Sequence, residues 1–331
     1  MSAVLEAPAR AVSTDAALID HPSGFLTLSR RNARFEDAAG EGFIAYREQG
    51  RHMLALGGVH ASAERQGALL DRFVAFAAAR GRRTLFVQVR EPQVSLLRSR
   101  GFTVNQLGTS FTLTLAGFSL GGTAKMRLRN KLARARHAGL RVVELGRDAE
   151  RDTTSFERLH AISAAWLGAK RKKELDFMIG ELGEVDDTRR RIFATLDAAG
   201  AMLGFITYVP AWGARPGYLH DLTRRAPEAP PGTMELCNAT AIERFTAEGV
   251  AFLHLGFTPF VIGEHEHPGA NRLAAWAVRQ LYRHGRLVYP AESQAQYKLK
   301  WGPDVLEREY LAACPLSLRA VLDLLILTRS I

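Results

Sequence analysis

Two carboxylates and two arginines lie close together in the segment 218–235. A carboxylate can take a proton from a hydroxyl or an amine, and an arginine can hold a phosphate or stabilise an oxyanion. The segment therefore indicates a site that activates a nucleophile beside an anion. A simple salt bridge between Asp221 and Arg224 in a surface loop is the alternative. The four residues are Asp221, Arg224, Arg225 and Glu235.

The same segment predicts which elements hold these side chains. It begins as a strand, in which alternation places Asp221 and Thr223 on the face opposite His220 and Leu222. A proline-rich connection then leads into a helix with Glu235 in its first turn, where the helix dipole favours a negative charge. A strand end would thus meet a helix N-terminus, an arrangement that suits phosphate binding.

The densest basic stretch has only lysine and arginine among its charged residues. On a helix, Leu128, Leu132 and Ala135 form a narrow apolar stripe with cations on both flanks. Such a helix can dock by one edge and offer its cations to a polyanion, which would offset the repulsion among them. A solvated basic face is the alternative. The cations are Lys125, Arg127, Arg129, Lys131, Arg134 and Arg136.

A second pair of cations lies near the end of the chain. We predict a strand over 297–301, in which Lys298 and Lys300 share one face and Tyr297 and Trp301 the other. Two cations beside an aromatic face suit a phosphodiester or the end of a nucleotide chain. Lysines that protect an edge strand from aggregation are the alternative.

Two further stretches lack a complete motif. The glycine-rich segment 117–122 is followed by Thr123 where a phosphate loop requires lysine, and Lys125 comes two positions late. Segment 264–267 alternates glutamate and histidine, but alternate residues of an extended loop point to opposite sides. The sequence therefore predicts neither a nucleotide phosphate loop nor a metal site.

Composition limits the class of protein. The chain has 331 residues, 47% of them hydrophobic, which excludes a disordered tail and a membrane-spanning protein. The net charge of +10 favours a polyanionic partner, either nucleic acid or anionic lipid headgroups. Cys237 and Cys314 form no disulfide framework, which fits a reducing cytoplasm.

The order of predicted elements is repeated along the chain. Residues 42–115 predict strand, strand, helix, strand, helix and strand, and the second half repeats that order after a longer helical section. The second-half elements are helices at 155–167 and 188–199, a hairpin formed by 202–209 and 218–223, a helix at 232–249, a strand at 252–255, a helix at 270–284 and the strand at 297–301.

The chain is long enough for two lobes rather than one. We predict a disordered arm over 1–20, an N-terminal lobe over 21–120 and a C-terminal catalytic lobe over 121–315, with a hinge near 117–123. Residues 316–331 predict an apolar C-terminal helix, too short to span a bilayer, that docks on the core or lies at a membrane interface.

In these stretches the sequence resembles the catalytic domain of the bacterial phosphatidylglycerol lysyltransferases, also called lysylphosphatidylglycerol synthetases or the multiple peptide resistance factor family. The resemblance covers roughly residues 22–313. Its marks are the basic segment 125–139, Asp221-Leu222-x-Arg224-Arg225 leading to Pro-Gly-x-Met-Glu235, Leu255-Gly256-Phe257-Thr258-Pro259, and Tyr297-Lys298-Leu299-Lys300 before Pro303.

The resemblance implies a mixed α/β fold made of two tandem acetyltransferase-like (GNAT) lobes. It also implies transfer of an amino acid from the 3′ end of an aminoacyl-tRNA to a hydroxyl of phosphatidylglycerol, without a metal or redox cofactor. Related stand-alone enzymes use small soluble acceptors. The expected location is the cytoplasm, with peripheral contact at the inner face of the membrane.

Carried over by position, Asp221, Arg224 and Glu235 would line the transfer site. Lys298 and Lys300 would lie near the tRNA terminus or the lipid phosphate, and the basic helix would contact tRNA or an anionic surface. Transfer needs a base for the acceptor, a cation or donor for the oxyanion, and good positioning. We expect Asp221 or Glu235 in the first role and Arg224 or Lys298 in the second.

The sequence also departs from the family pattern. The aromatic residue expected after the second lysine pair is Val305, and the expected Arg-Tyr is spread over Arg308-Glu309-Tyr310. The membrane-spanning half of the full-length family proteins is also absent from the sequence, which favours the soluble acceptor as the alternative.

Two other functions compete with aminoacyl transfer. An acetyl-CoA-dependent acetyltransferase would need a pyrophosphate-binding turn that residues 64–69 do not supply. A non-catalytic nucleic-acid-binding protein would explain the net charge but not the block from Asp221 to Glu235.

Overall fold

The computed structural model describes residues 16–36, 40–170, 176–263, 270–284 and 290–330. The strands are β1 (Ala33–Glu36), β2 (Gly42–Gln49), β3 (His52–Ala61), β4 (Arg83–Arg90), β5 (Thr103–Thr114), β6 (Arg141–Glu144), β7 (Arg191–Leu196), β8 (Met202–Ala211), β9 (Gly217–Arg225), β10 (Phe252–Pro259) and β11 (Val305–Ala313). The α-helices are α1 (Ala63–Ala79), α2 (Val94–Arg98), α3 (Met126–His137), α4 (Thr153–Lys170), α5 (Thr233–Ala247), α6 (Arg272–His284), α7 (Ala291–Leu299) and α8 (Leu318–Leu327).

The eleven strands of the described residues form one continuous sheet, in the order β1-β2-β3-β4-β11-β5-β10-β9-β8-β7-β6. Each half contains one parallel pair, β3 with β4 and β9 with β10, and the other pairings are antiparallel. β11 lies between β4 and β5 and pairs antiparallel with both. The predicted C-terminal unit, 121–315, therefore contributes a strand to the N-terminal half of the sheet. The predicted mixed α/β fold with two acetyltransferase-like halves is confirmed.

Each half of the sheet has its own main apolar core. In the N-terminal half α1 buries Leu69, Leu70 and Phe73 against the sheet. In the C-terminal half α5 buries Ile242 and Phe245, and the inner stripe of α3 packs onto the same cluster. Burial of these apolar side chains is what fixes each helix on its half of the sheet.

Two predicted elements are wrong. Residues 188–199 do not form a helix but contain β7, whose central residues are buried on both faces, so that periodicity cannot distinguish strand from helix. Residues 297–301 do not form a strand, because α7 continues to Leu299 and turns Ala291, Ala295 and Lys298 inward. That spacing is helical, and it begins before the window in which a strand was predicted.

The ends of the chain differ in how they meet the core. Of the predicted arm, residues 1–15 lie outside the described residues, whereas Ile19 is fully buried against Phe43 and Ala45. The predicted C-terminal helix is present as α8. No helix among the described residues has the length and hydropathy needed to cross a membrane.

Candidate active site

The strands β9 and β10 pair over only three residues before they separate. The parallel register runs from Gly217 opposite Phe252 to Leu219 opposite His254, and β10 then shifts its register against β5. Gly256 follows at φ +81°, a conformation that residues with a side chain rarely adopt. We call this place the β9–β10 separation.

Lys298 reaches into this separation from α7. Its Nζ donates to the carbonyl oxygens of Gly256 and Phe257, both at 2.8 Å, and the side chain is only 8% exposed. Burial lowers the pKa of Lys298 to about 7, because the charged ammonium loses its hydration. The group is therefore a cation that can lose its proton near neutral pH.

A carboxylate and two lysines meet at the C-terminal end of α7. Lys300 Nζ lies 2.7 Å from Glu235 Oε1, and Lys131 Nζ lies 3.2 Å from the same oxygen. Burial opposes ionisation of Glu235, but the hydrogen bond and charge of Lys300 outweigh it and hold the glutamate pKa below its ordinary value. Three residues predicted from separate stretches therefore form one cluster, which we call the Glu235 cluster.

The close approach of α3 to the start of α5 builds this cluster. Gly232 precedes α5 at φ +98°, and a Cβ at this position would lie 2.9 Å from the carbonyl oxygen of Lys131. Only glycine therefore fits there. The predicted apolar stripe of α3 is buried as expected, through Leu128, Leu132 and Ala135.

The other cations of the basic stretch have different surroundings. Lys125 Nζ donates to the carbonyl oxygen of Ser119, and Arg129 donates to those of Leu120 and Gly122. Arg136 pairs with Glu243 on α5 at 3.4 Å. Arg127 and Arg134 are exposed.

Asp221 faces the opposite side of β9. It forms a buried ion pair with Arg190 at 2.7 Å and accepts a hydrogen bond from the Gly180 amide. Burial raises the pKa of Asp221, although the charge of Arg190 opposes that rise. Arg224 also lies on this side, above the ring of Trp166 on α4. The structure thus separates Asp221 and Arg224 from the contacts of the Glu235 cluster.

A bulge explains why simple alternation along β9 was wrong. Ile206 pairs with Thr223 and Tyr208 with His220, so two residues of β9 stand opposite Thr207 alone. After the bulge Leu222 packs into the apolar cluster beneath α4, away from His220. Arg225, at the strand end, is exposed and donates to the carbonyl oxygen of Ala229.

A buried polar network at the same separation was not predicted from the sequence. Tyr208 Oη donates to Asn238 Oδ1 at 2.6 Å, and His220 lies 3.1 Å from that oxygen through Nδ1 and 2.6 Å from Thr223 Oγ1 through Nε2. Burial, with the charge of Lys298, lowers the pKa of His220 to about 3, so the imidazole is neutral. Asn238 falls three residues after Glu235 on α5, and that helical spacing was the available signal.

One donor of this network is unused. Asn238 is fully buried, and its Nδ2 has no hydrogen-bond partner among the described residues. A buried amide without a partner costs free energy unless something binds to it. Among all the residues that the structure describes, no three histidine, cysteine, aspartate or glutamate side chains are grouped so that they could hold a metal ion. The site thus combines a buried cation, a carboxylate held by two lysines, and an unused donor.

These features define a class of protein with two acetyltransferase-like halves and a polar, cationic site in the second half. Residues 15–313 match the family described as phosphatidylglycerol lysyltransferase, C-terminal, and the chain belongs to that family. The resemblance seen in the sequence is confirmed.

Similar proteins are found among both sequences and structures. The lysylphosphatidylglycerol biosynthesis bifunctional protein LysX of Nocardia farcinica is 26% identical over 297 residues, which are 88% of this chain and 26% of that protein. LysX of Mycobacterium tuberculosis H37Rv is 30% identical over 217 residues, or 62% of this chain and 18% of that protein. The chain therefore spans about a quarter or less of the curated relatives it matches.

Two solved structures share the fold. The C-terminal domain of a putative lysylphosphatidylglycerol synthetase from Agrobacterium fabrum has a TM-score of 0.79 at 21% identity, and covers 97% of this chain and 98% of that one. The structure of L-PGS from Bacillus licheniformis has a TM-score of 0.80 at 20% identity, and it covers 97% of this chain and 95% of that one.

Proposed function

We propose that the chain is an aminoacyl-tRNA-dependent aminoacyltransferase that moves an amino acid to a hydroxyl of phosphatidylglycerol. The observation that carries the proposal is the buried cation Lys298 at the β9–β10 separation, two residues before Lys300 of the Glu235 cluster. A family defined by phosphatidylglycerol lysyltransferases supplies the reaction class.

The reaction is an exchange of esters. The acceptor hydroxyl attacks the carbonyl carbon of the aminoacyl ester, a new C–O bond forms, and the bond to the ribose oxygen breaks. The acceptor proton ends on that ribose oxygen. The proposed chemistry uses aminoacyl-tRNA as co-substrate and needs no metal or redox cofactor.

The site suggests a division of roles. Glu235 is ionised, and it pairs with Lys131 on α3 and with Lys300 at the end of α7. It therefore suits the role of the base or of the group that orients the acceptor. Lys298 is a desolvated cation and suits the oxyanion that forms at the attacked carbonyl. Asp221 already binds Arg190 and Gly180, which favours a positioning role for it.

The basic surface of α3 suits the donor. Lys131 links that helix to the Glu235 cluster, while Arg127 and Arg134 remain exposed. A tRNA whose phosphates lie along α3 would bring its 3′ end towards the cluster. Electrostatic contacts of this kind supply affinity without sequence specificity.

The experiment is transfer of labelled lysine from charged tRNA, with vesicles of phosphatidylglycerol and phosphatidylcholine. We expect label in the extracted lipid only when phosphatidylglycerol is present. RNase treatment before mixing should abolish it. Label that appears in a soluble product, or activity that survives RNase, would contradict the proposal. The same assay with alanine-charged tRNA compares a second amino acid donor.

A further inference from the structure

The C-terminal helix α8 presents apolar side chains on two opposite faces. Its inner face buries Ala320 and Leu324. Its outer face exposes four large apolar side chains, and Leu318 is 91% exposed. The spacing of i, i+3, i+4 and i+8 places these four on one stripe. They are Leu318, Val321, Leu322 and Ile326.

The inner face is firmly attached to the β2–β3 turn through Asp323. Its carboxylate accepts from the Arg51 amide at 3.0 Å and lies 2.7 Å from His52 Nδ1 and 2.9 Å from Arg319 Nε. The Ser317 side chain caps the helix by accepting from the Ala320 amide. Since these specific contacts fix the orientation of α8, the exposed stripe is a property of the fold.

Cationic residues adjoin the attachment point. Arg51 is exposed, and its carbonyl oxygen accepts a hydrogen bond from the Arg83 amide at 2.9 Å. Arg83, the first residue of β4, is also exposed. Arg51 and Arg83, together with Arg319 on α8, which pairs with the buried Asp323, form a basic border.

The position of α8 in the chain sets it apart from the transfer site. The family match ends at residue 313, before α8 begins. Within the described part of the chain, the hydrogen bonds and ion pairs of the Glu235 cluster involve no residue of α8. The stripe therefore needs an explanation other than the chemistry of transfer.

We infer that α8 lies in the interface of an anionic bilayer, with its outer stripe among the acyl chains and the basic border against the headgroups. A short helix with one exposed apolar stripe and adjacent arginines has the chemistry of an interfacial anchor. The inference rests on the proposed function, because a lipid acceptor requires the enzyme to reach a membrane surface.

A second copy of the chain fits this surface less well. A stable dimer buries roughly 1,200–2,000 Å² in total, and a stripe of four side chains covers only a small part of that. Symmetric pairing of α8 would also bring the arginines of both copies close together. An anionic lipid surface instead complements the same charges.

The test is flotation of the whole chain with vesicles in the absence of tRNA. We compare vesicles of phosphatidylglycerol mixed with phosphatidylcholine against vesicles of phosphatidylcholine alone. Leu318→Glu should weaken binding to the anionic vesicles by at least about tenfold. Leu306→Glu is the matched control, since Leu306 is also exposed and gains the same charge on β11, and it should bind like the wild type.

Further variants separate fold, charge and self-association. Leu318→Glu should leave the thermal melting temperature unchanged, because the side chain is exposed. Arg51→Gln with Arg83→Gln should reduce the dependence on phosphatidylglycerol content. Equal binding by wild type and Leu318→Glu, equal binding to both kinds of vesicle, or a wild-type dimer that Leu318→Glu dissociates would each overturn the inference.

The outcomes also distinguish this inference from the proposed function. Wild type that binds anionic vesicles but transfers no amino acid would contradict the proposed function alone. Wild type that transfers an amino acid while Leu318→Glu binds vesicles normally would contradict the α8 inference alone.

Discussion

Two parallel strand pairs run through the sheet, and in both the pairing stops partway along the strands. In the N-terminal half β3 and β4 pair from His52 opposite Arg83 to Leu56 opposite Val87. In the C-terminal half β9 and β10 pair only as far as Leu219 opposite His254. Each half thus contains a pair of parallel strands that separate before they end.

The two separations are closed by different side chains. In the N-terminal half the neutral amide of Gln93 accepts from the Val59 amide at 2.9 Å and donates to its carbonyl oxygen at 2.8 Å. In the C-terminal half the ammonium of Lys298 donates to two carbonyl oxygens of β10. A neutral amide with matched partners stabilises structure, whereas a buried cation can stabilise a developing negative charge. The difference supports the proposal that the chemistry lies in the second half.

The largest effect is expected when Lys298 and Gln93 are each replaced by an apolar residue. Lys298→Met should lower amino acid transfer at least about 100-fold, because an oxyanion would lose its desolvated cation. Gln93→Leu should leave transfer within about threefold and destabilise the fold by about 1–3 kcal/mol, since two backbone groups lose their partner. Transfer rates and urea unfolding of both variants check this. Equal loss of transfer would contradict the assignment of chemistry to one half.

Asp221→Asn tests whether the far face of β9 shares in the chemistry. The substitution leaves Arg190 buried without its counter-charge, so the free energy of unfolding should fall by about 3 kcal/mol. Turnover per folded molecule should change little if Asp221 only positions β9. A loss of about 100-fold at unchanged stability would instead make Asp221 the base. Denaturant unfolding and transfer assays on the same samples separate the two results.

The two halves should also differ in their response to pH. The pKa of Lys298 is lowered to about 7, so its charge, and with it the transfer rate, should fall about tenfold per pH unit above that value. Gln93 does not titrate, so Gln93→Leu should keep the same profile. The measurement is transfer rate against pH for both proteins, and a rate that rises above pH 7 would indicate that neutral Lys298 acts as a base.

The lowered pKa of Lys298 also makes the free energy of unfolding depend on pH. The unfolded chain keeps Lys298 protonated up to about pH 10.5, so it binds more protons than the folded state between pH 7 and 10.5. The penalty of the buried charge is therefore complete below pH 7 and is relieved as pH rises through that window. Glu309, whose pKa burial raises to about 7, contributes the opposite slope, with stability that falls as pH rises from 4.5 to 7. Urea unfolding of wild type and Lys298→Met across pH isolates the lysine contribution.

The smallest expected effect concerns the exposed surface beside each half. Arg127→Gln with Arg134→Gln should weaken tRNA binding and lower the slope of log affinity against log salt by roughly 0.7–0.9 for each phosphate that is no longer neutralised. Arg72→Gln, on helix α1 of the other half, is the control and should leave the slope unchanged. Binding titrations at several salt concentrations check this, and an unchanged slope in the double variant would favour a solvated basic face.

Much of the fold follows from local patterns, and the exceptions have physical causes. The stripe of α3 is spaced as the helical period requires, and the hairpin of β8 and β9 lies where it was predicted, although its bulge was not. β7 was missed because its residues are buried on both faces, and α7 because its inward stripe includes a lysine. Hydropathy cannot predict a buried cation, since burial depends on carbonyl groups of β10 that are distant in sequence.

The charged residues of the candidate site were predictable, whereas their grouping and the neutral network around Asn238 were not. The cluster joins three stretches of the sequence, each of which was selected because of its charged residues. These residues are Lys131, Glu235 and Lys300. Their contact depends on the close approach at Gly232. The bulge in β9 turns Asp221 away from them, and no spacing rule in the sequence predicts it. The roles of these residues remain predictions.

The position of β11 has a consequence for how the chain reaches its native state. Neither β4 nor β5 has its partner on that side until residues 305–313 are in place, although β4 already ends at Arg90 and β5 at Thr114. A sheet completed by such distant contacts folds slowly, because the chain loses the entropy of loop closure before the new strand contacts stabilise the structure. During synthesis the N-terminal half would wait with two unpaired edges in the middle of its sheet, exposed to chaperones and to other nascent chains.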